Sequence, residues 1–207
     1  MDRSGWFAAW RGRRRTTPND CSPTRRPHIR LAAATFVCHS YRNRRNALQK
    51  ITPFLWYSKE AEEAAAFYAS VFPDSRVTRV TSLASESPSG PPGSVKIVEF
   101  VLFGQPFIAM SAGPLDPFNH AVSFVVNCEN QAEIDRYWNA LLAGGSAEQC
   151  GWLKDRFGLS WQIVPTVLGK MMADPDRAKA KRASDAMMKM VKLDIAALQA
   201  AYAGTSG

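Results

Sequence analysis

The sequence contains few of the residues that usually build a redox, metal or nucleotide site. Its 207 residues include only 4 cysteines and 3 histidines, and no GxGxxG motif follows a strand pattern. The cysteines form no CxxC pair, which excludes a disulfide framework and a zinc knuckle; they are Cys21, Cys38, Cys128 and Cys150. No apolar run approaches the roughly 18 residues that a membrane-spanning helix needs. We therefore expect a protein of the reducing cytoplasm with no membrane partner.

Acidic residues are scarce in the first quarter of the chain. Residues 1–50 contain 12 Lys/Arg and 2 Asp/Glu, a net charge of +10, whereas residues 51–207 contain 14 and 16, a net charge of −2. The basic character therefore belongs to an arm at 1–47, and a nucleic-acid partner is not expected for the rest of the chain. We interpret the arm as a disordered basic tail or a mistaken translation start. An organelle transit peptide or a nucleic-acid arm is the remaining alternative.

From residue 51 the chain alternates between strand and helix patterns. ITPFLWYS (51–58) is apolar and aromatic, as in a strand, and EAEEAAAFYASVF (60–72) places its apolar residues at helical spacing. Three further strand patterns and a second strand–helix pair follow, at 75–83, 95–103, 106–112, 121–128 and 130–143. The order of strand, helix and further strands therefore begins twice.

The two halves of this region repeat each other. A shift of 70 residues places FYxxVF (67–72) on YWxxLL (137–142) and Phe54 on Phe124. A shift of 54 residues places FGQPFIAM (103–110) on FGLSWQIV (157–164). The duplication predicts an α+β fold of two tandem βαβββ modules, 51–113 and 120–165. We expect their eight strands to form one open, barrel-like sheet around a cleft.

A C-terminal helix is predicted at 174–203. Asp174 suits its N-cap, Pro175 its first turn and Gly204 its end. Its apolar stripe needs a partner, either this domain or a second subunit. The stripe consists of Met187, Met190, Val191, Leu198 and Tyr202.

Four segments carry a resemblance to a known family: ITPFLWYS, AEEAAAFYASVFPDS, AVSFVVNCENQAEIDRYWNALLAGG and CGWLKDRFGLSWQIVP. They resemble the PhnB-like branch of the vicinal oxygen chelate superfamily, which includes glyoxalases, bleomycin-resistance proteins and dioxygenases. The resemblance covers about residues 48–204, so we assign residues 48–207 to this domain. The branch is often labelled 3-demethylubiquinone-9 3-methyltransferase. The resemblance implies a homodimer and a cleft for a small molecule.

The resemblance also implies where a metal would bind. His120 and Gln162 fall on metal-ligand positions of related enzymes, and the repeat assigns Lys50 and Ile108 as their partners. Only His120 is a good ligand for a first-row metal, and a catalytic site usually needs three protein ligands. We therefore expect no cofactor, and if a divalent metal binds, its ligands are His120 and Gln162. A different register would bring in other side chains: Thr52, Glu99, Ser111 or Asp116.

The predicted cleft is lined by aromatic and polar side chains. Its candidate residues are Phe54, Trp56, Phe100, Met110, His120, Phe124 and Gln162. The alternative for several of them is packing beneath the helices, because side chains alternate along each strand. Asp155, Arg156, Phe157 and Gly158 have turn chemistry and predict a hairpin. We expect Lys154, Asp155 and Arg156 to form a solvated hairpin tip at the rim.

Three functions follow from these observations. The first is a protein that binds a small molecule without chemistry, and the second is a metal-dependent lyase, isomerase or dioxygenase. The third is the methyltransferase of the family label, for which the sequence offers no Gly-rich turn between a strand and a helix. Fold alone does not select among them, and whether a reaction is catalysed stays open.

Overall fold

A computed structural model describes residues 50–113 and 117–205; the arm at 1–47 and Asp116 lie outside the described residues. None of the helices in the described part is long and apolar enough to cross a membrane. The elements in chain order are β1 (Phe54–Tyr57), α1 (Ala61–Val71), β2 (Arg76–Ser82), β3 (Lys96–Leu102), β4 (Gln105–Ser111), β5 (Ser123–Cys128), α2 (Gln131–Leu142), β6 (Ser146–Ala147), β7 (Trp152–Lys154), β8 (Ser160–Pro165), α3 (Thr166–Met172), α4 (Arg177–Met187) and α5 (Ile195–Ala203).

The strands form two sheets with the same topology. The first sheet has the order β1-β4-β3-β2 and the second β5-β8-β7-β6. In each, the first strand runs parallel to its neighbour and the remaining pairs are antiparallel. The prediction of an α+β fold with two tandem βαβββ modules is therefore confirmed. The eight strands form two separate open sheets in the described residues rather than one continuous sheet.

The modules pack through the faces that their helices cover. On α1, Tyr68 is fully buried and stacks on Phe100 of the first sheet, with ring centroids 6.4 Å apart. The same ring lies 5.3 Å from Trp161 of the second sheet. Phe107 and Phe124, one from each sheet, are 5.2 Å apart. The two covered faces thus share one hydrophobic core, and the opposite face of each sheet points away from it.

The repeat holds in the helices and the hairpins, but it slips by one residue in the first strands. Leu55 pairs with Ala109 in the first sheet, and Val126 pairs with Ile163 in the second. The two hairpin residues differ by the expected 54 positions, whereas the two first-strand residues differ by 71 rather than 70. Because side chains alternate along a strand, this single residue reverses the face of every first-strand side chain.

The chain after the second sheet forms three helices, so the prediction of one helix at 174–203 was wrong. Helix α4 begins at the N-cap Asp176, whose side chain accepts from Ala178 N and Lys179 N, and ends at Met187. Turns and bends at 188–192 then separate α4 from α5, which Asp194 caps by accepting from Ala197 N. The predicted stop is confirmed: Gly204 caps α5 with a left-handed φ of 82°.

The interruption between α4 and α5 has a tertiary cause. The backbone N–H groups of Cys150 and Gly151 donate to the carbonyls of Met190 and Val191, both at 2.8 Å. Leu193 is fully buried between these bonds and the start of α5. A continuous helix would use those carbonyls internally, so docking against the second module replaces helical hydrogen bonds.

Candidate ligand cleft

The face of the first sheet opposite α1 carries a row of apolar side chains. Phe54 pairs with Ile108 and Trp56 pairs with Met110, so all four side chains share this face. Phe54 is 51% exposed. The indole of Trp56 donates from Nε1 to the carbonyl of Gly113 at 3.3 Å, which orients the ring. We call this surface open face 1.

An ion pair lies beside these apolar groups. Glu99 pairs with Ile108 across the sheet, so its carboxylate lies on open face 1. The guanidinium of Arg79 donates from Nε to Glu99 Oε1 at 3.0 Å, and its Nη2 donates to the same oxygen. The pair is exposed to solvent, so it contributes little to stability while it stays accessible to a polar ligand.

The corresponding surface of the second sheet combines apolar and amide groups. Val125 and Trp152 both pair with Gln162, which places the three side chains on the face opposite α2. Gln162 donates from Nε2 to Ser123 Oγ at 2.8 Å, leaving its carbonyl oxygen available as an acceptor. Val125 is 51% exposed. We call this surface open face 2.

His120 precedes β5 at the rim of open face 2. Its Nδ1 lies 3.1 Å from Glu148 Oε2, and the ring meets the edge of Trp152 at 6.4 Å between centroids. In the neutral ring, a carboxylate at Nδ1 favours the proton on that nitrogen, which leaves Nε2 to accept a hydrogen bond or to bind a metal. The side chain is 57% exposed, which makes Nε2 accessible from solvent.

The structure divides the predicted cleft residues between the two kinds of face. Five lie on or beside the open faces: Phe54, Trp56, Met110, His120 and Gln162. Phe100 is buried under α1, with 1% of its surface exposed. Phe124 is half-buried in the core beside Phe107 and Trp161 because of the one-residue slip. The slip therefore separates Phe124 from Phe54, its predicted counterpart.

Of the four predicted metal positions, one carries a usual metal ligand, His120. In residues 50–113 and 117–205, no group of three or more His, Cys, Asp or Glu side chains could hold a metal ion. Lys50 is exposed and Ile108 is apolar. Among the substitutes, Ser111 Oγ accepts from Ala61 N at 3.0 Å at the start of α1, and Glu99 is bound to Arg79. His120 and Glu148 lie 3.1 Å apart and are both of residue types that bind metals.

The hairpin at 154–160 is confirmed, but Asp155 is buried rather than solvated. Only 3% of its surface is exposed, although it begins the turn. One carboxylate oxygen accepts from Tyr68 Oη at 2.7 Å and Trp161 Nε1 at 2.8 Å. The other accepts from the backbone N–H groups of Phe157 at 2.9 Å and Leu159 at 3.0 Å. Burial raises the pKa of Asp155, and these hydrogen bonds partly oppose the shift.

The neighbouring residue completes the docking of this hairpin on α1. Arg156 donates to Glu63 at 3.1 Å, and its guanidinium lies 4.4 Å from the centroid of Phe67. Arg156 therefore holds the two modules together and has a partner for its charge. Sequence reasoning missed this role because turn chemistry identifies a turn without saying what covers it.

Comparison with known proteins agrees with this architecture. Residues 49–164 match the family model described as 3-demethylubiquinone-9 3-methyltransferase, which is more than half of the chain. The chain belongs to this family. It is a member of the PhnB-like branch of the vicinal oxygen chelate superfamily, as the resemblance of its four segments implied. No protein of curated function is similar enough to count as a match.

Several solved structures are also similar to this chain. A PhnB protein from Bacillus cereus, provisionally described as a 3-demethylubiquinone-9 3-methyltransferase, is 32% identical, with a TM-score of 0.50 over 57% of this chain and 100% of that chain. Protein PA1353 from Pseudomonas aeruginosa is 22% identical, with a TM-score of 0.43 over 56% and 96%. The fosfomycin resistance protein FosX from Listeria monocytogenes is 14% identical, with a TM-score of 0.43 over 60% and 97%.

Proposed function

We propose that this protein binds a small molecule in a cleft that two copies of the chain form together. The observation that carries the proposal is the exposure of apolar side chains on both open faces, at Phe54 and Val125. The covered faces of one copy already share a core, so the open faces of that copy cannot cover each other. A second copy would place its open face 2 over open face 1 of the first, as a symmetric dimer permits.

The polar groups on the two faces indicate what the cleft would recognise. The Gln162 carbonyl oxygen and the Nε2 of His120 are acceptors, and the Arg79 guanidinium is a donor beside Glu99. Aromatic and aliphatic side chains surround these groups, as in most small-molecule sites. The ligand would therefore carry an apolar body with a few hydrogen-bonding groups. These contacts support binding of such a ligand.

Oligomeric state and ligand screening on the full chain test the proposal together. Sedimentation velocity should show a dimer, and Phe54→Asp should shift it toward monomer because a charge enters an apolar interface. Val80→Asp is the matched control: Val80 is also 48% exposed, but it pairs with the buried Val98 and so lies on the opposite side of the sheet. A monomer at all concentrations, or equal effects of both variants, would contradict the dimer.

A thermal-shift screen then tests the site. Ligands that stabilise the wild type should lose most of their effect with His120→Ala or Gln162→Leu. A ligand indifferent to both changes would show that it binds elsewhere. S-adenosylmethionine belongs in the same screen, and we expect no shift, since the β1–α1 and β5–α2 connections (58–60 and 129–130) contain no glycine to approach a nucleotide.

We place this binding activity in the cytoplasm. Both cysteines in the described part of the chain, Cys128 and Cys150, are free thiols. Burial raises the pKa of the Cys128 thiol to about 12, so it stays protonated and inert. Free thiols are the usual state in a reducing compartment. Fractionation of cells that produce the full chain would test this assignment.

A further inference from the structure

A second concavity lies at the junction of the two modules. It has a volume of about 360 Å³, within the usual range for small-molecule sites. Five aromatic rings line it in sequence, because Phe103, Phe72, Trp161, Phe124 and Phe107 are successive neighbours at 5.3, 5.5, 5.6 and 5.2 Å between centroids. All of its lining residues belong to one copy of the chain, and one of them, Val125, also lies on open face 2. We call it the junction pocket.

The ring at its mouth has an unusual backbone. Phe103 and Gly104 form the two-residue turn between β3 and β4, and their φ angles are 49° and 79°. Positive φ at both positions is the type I′ hairpin arrangement, for which Asn-Gly is the favoured pair. A bulky aromatic residue is strained there, and this side chain is nevertheless 52% exposed. Strain that the fold retains at an exposed aromatic ring indicates a use for that ring.

The internal repeat provides a second junction between the modules, at Phe157, with which the Phe103 junction can be compared. Phe103 and Phe157 are equivalent hairpin residues, and each tip packs on the helix of the other module, at Tyr137 (6.0 Å) and Phe67 (5.8 Å) respectively. At the Phe157 junction, the phenyl ring of Phe118 from the linker packs against Tyr57 at 5.3 Å. Both Phe118 and Phe157 line a smaller concavity of about 220 Å³ there. An aromatic ring from the chain itself thus lies at one junction and forms part of its wall.

The Phe103 junction has no equivalent of Phe118 in the part of the chain that the structure describes. Helix α3 follows β8 directly and packs with α4 and α5 in a separate hydrophobic cluster. Phe103 is 52% exposed, whereas Phe157 is partly buried. We propose that the junction pocket binds a flat, neutral aromatic molecule, which takes the place that Phe118 occupies at the other junction.

The chemistry of the lining defines this class of ligand. None of the residues that line the pocket is charged, so an ionic ligand would lose its hydration without gaining a partner. The amide side chains of Gln105 and Asn127 supply the polar contacts. A flat ring with one N–H or O–H group matches this lining, because aromatic rings stack on it and the amide oxygens accept from the donor.

The test uses indole as the probe and indole-3-acetate as its charged counterpart, with the full chain and isothermal titration calorimetry. Indole should bind saturably, and indole-3-acetate should bind at least about tenfold more weakly. Phe103→Asn should weaken indole binding by about tenfold or more through loss of the ring, while it creates the favoured Asn-Gly turn and so should still fold. Val80→Thr, an exposed apolar residue away from the pocket, should leave indole binding unchanged.

A second variant guards against indirect effects at the turn. Asn127→Asp keeps the size of the side chain and adds a charge to the wall, so it should also weaken indole binding. Absence of saturable indole binding, equal binding of the anion, or equal binding by Phe103→Asn would each overturn the proposal. So would amide NMR shifts at residues 103–105 that follow protein concentration without indole, since a second copy would then cover the pocket. None of these outcomes depends on His120 or Gln162, which test the cleft.

Discussion

At the scale of single residues, Asp155 shows how one carboxylate joins two modules. It lies in the hairpin of the second module, and the Tyr68 hydroxyl that donates to it belongs to α1 of the first. Tyr57 lies beside the same hydroxyl, with 3.3 Å between the two phenolic oxygens. Burial raises the pKa of both tyrosines, so they remain neutral hydrogen-bonding groups. Asp155 therefore acts within the core rather than at the rim.

Replacing Asp155 by Asn should destabilise the fold by about 2–3 kcal/mol. The amide nitrogen cannot accept hydrogen bonds, so it leaves two of the four donors around the carboxylate without a partner. Urea unfolding at neutral pH measures the loss. Asp185→Asn removes an exposed carboxylate that pairs with Lys181 on α4, and it should change stability too little to measure. Equal losses of stability in both variants would contradict a stabilising role for the hydrogen bonds to Asp155.

The pH dependence of this difference tests the balance at Asp155. Because its pKa is raised in the folded state, the folded protein binds the proton more tightly than the unfolded chain. The stabilisation that the folded protein gains from this tighter proton binding is fully present below the ordinary pKa of 3.8. It is lost as the pH rises through the raised pKa. The difference in free energy of unfolding between the wild type and Asp155→Asn should therefore shrink as the pH rises across this window. A difference that grew with pH would mean that the hydrogen bonds lower the pKa of Asp155 by more than burial raises it.

At the scale of elements, the docking of the C-terminal helices depends on one close approach. Gly151 has a φ of 83°, and a Cβ there would lie 2.9 Å from the carbonyl oxygen of Ile163 and 3.0 Å from Leu193. Its N–H also donates to Val191 in the segment between α4 and α5. The absence of a side chain at this position thus allows the tail to pack against β8.

Gly151→Ala should cost about 3 kcal/mol of folding free energy, from a disfavoured φ together with overpacking. Gly158→Ala separates the two effects, because Gly158 has a φ of 87° and a Cβ added there would meet nothing within 4 Å. It should cost about 1–2 kcal/mol. Denaturant unfolding gives both values, and hydrogen exchange at residues 190–193 should rise in Gly151→Ala alone. Equal exchange in the two variants would contradict the clash.

At the scale of the whole molecule, burial is uneven. One core unites the covered faces of both modules, and a second, smaller cluster holds α3, α4 and α5 together. The open faces have no such cover: Phe54 on open face 1 and Val125 on open face 2 are each 51% exposed. An apolar surface of this kind on a folded domain commonly marks an interaction site.

If two copies cover these faces, the melting temperature depends on protein concentration. Mass action favours the folded dimer, so a hundredfold rise in concentration should raise the melting temperature by about 3–5 °C. Scanning calorimetry across that range measures the change. Phe54→Asp should remove the dependence, and Val80→Asp should retain it. A concentration-independent melting temperature in the wild type would contradict the dimer.

Periodicity and repetition in the sequence were sufficient to predict the order of the elements and the two-module fold. They also identified the hairpin at 154–160 and the helix end at Gly204. These features depend on local hydrogen bonds, turn chemistry and apolar spacing, which neighbouring residues largely decide. The candidate site was harder to predict from the sequence, because a one-residue slip between β1 and β5 moved Phe124 from the expected open face into the core.

The sequence by itself determined which segments become strands and helices, and that the chain is built twice from one plan. Only the tertiary structure decided which face of each strand is covered, that Asp155 is buried, and where the C-terminal helix divides. The physical reason is that strand pairing, desolvation and the docking of Met190 and Val191 on Cys150 and Gly151 involve residues far apart in the chain. Such contacts leave no periodic pattern among neighbouring residues.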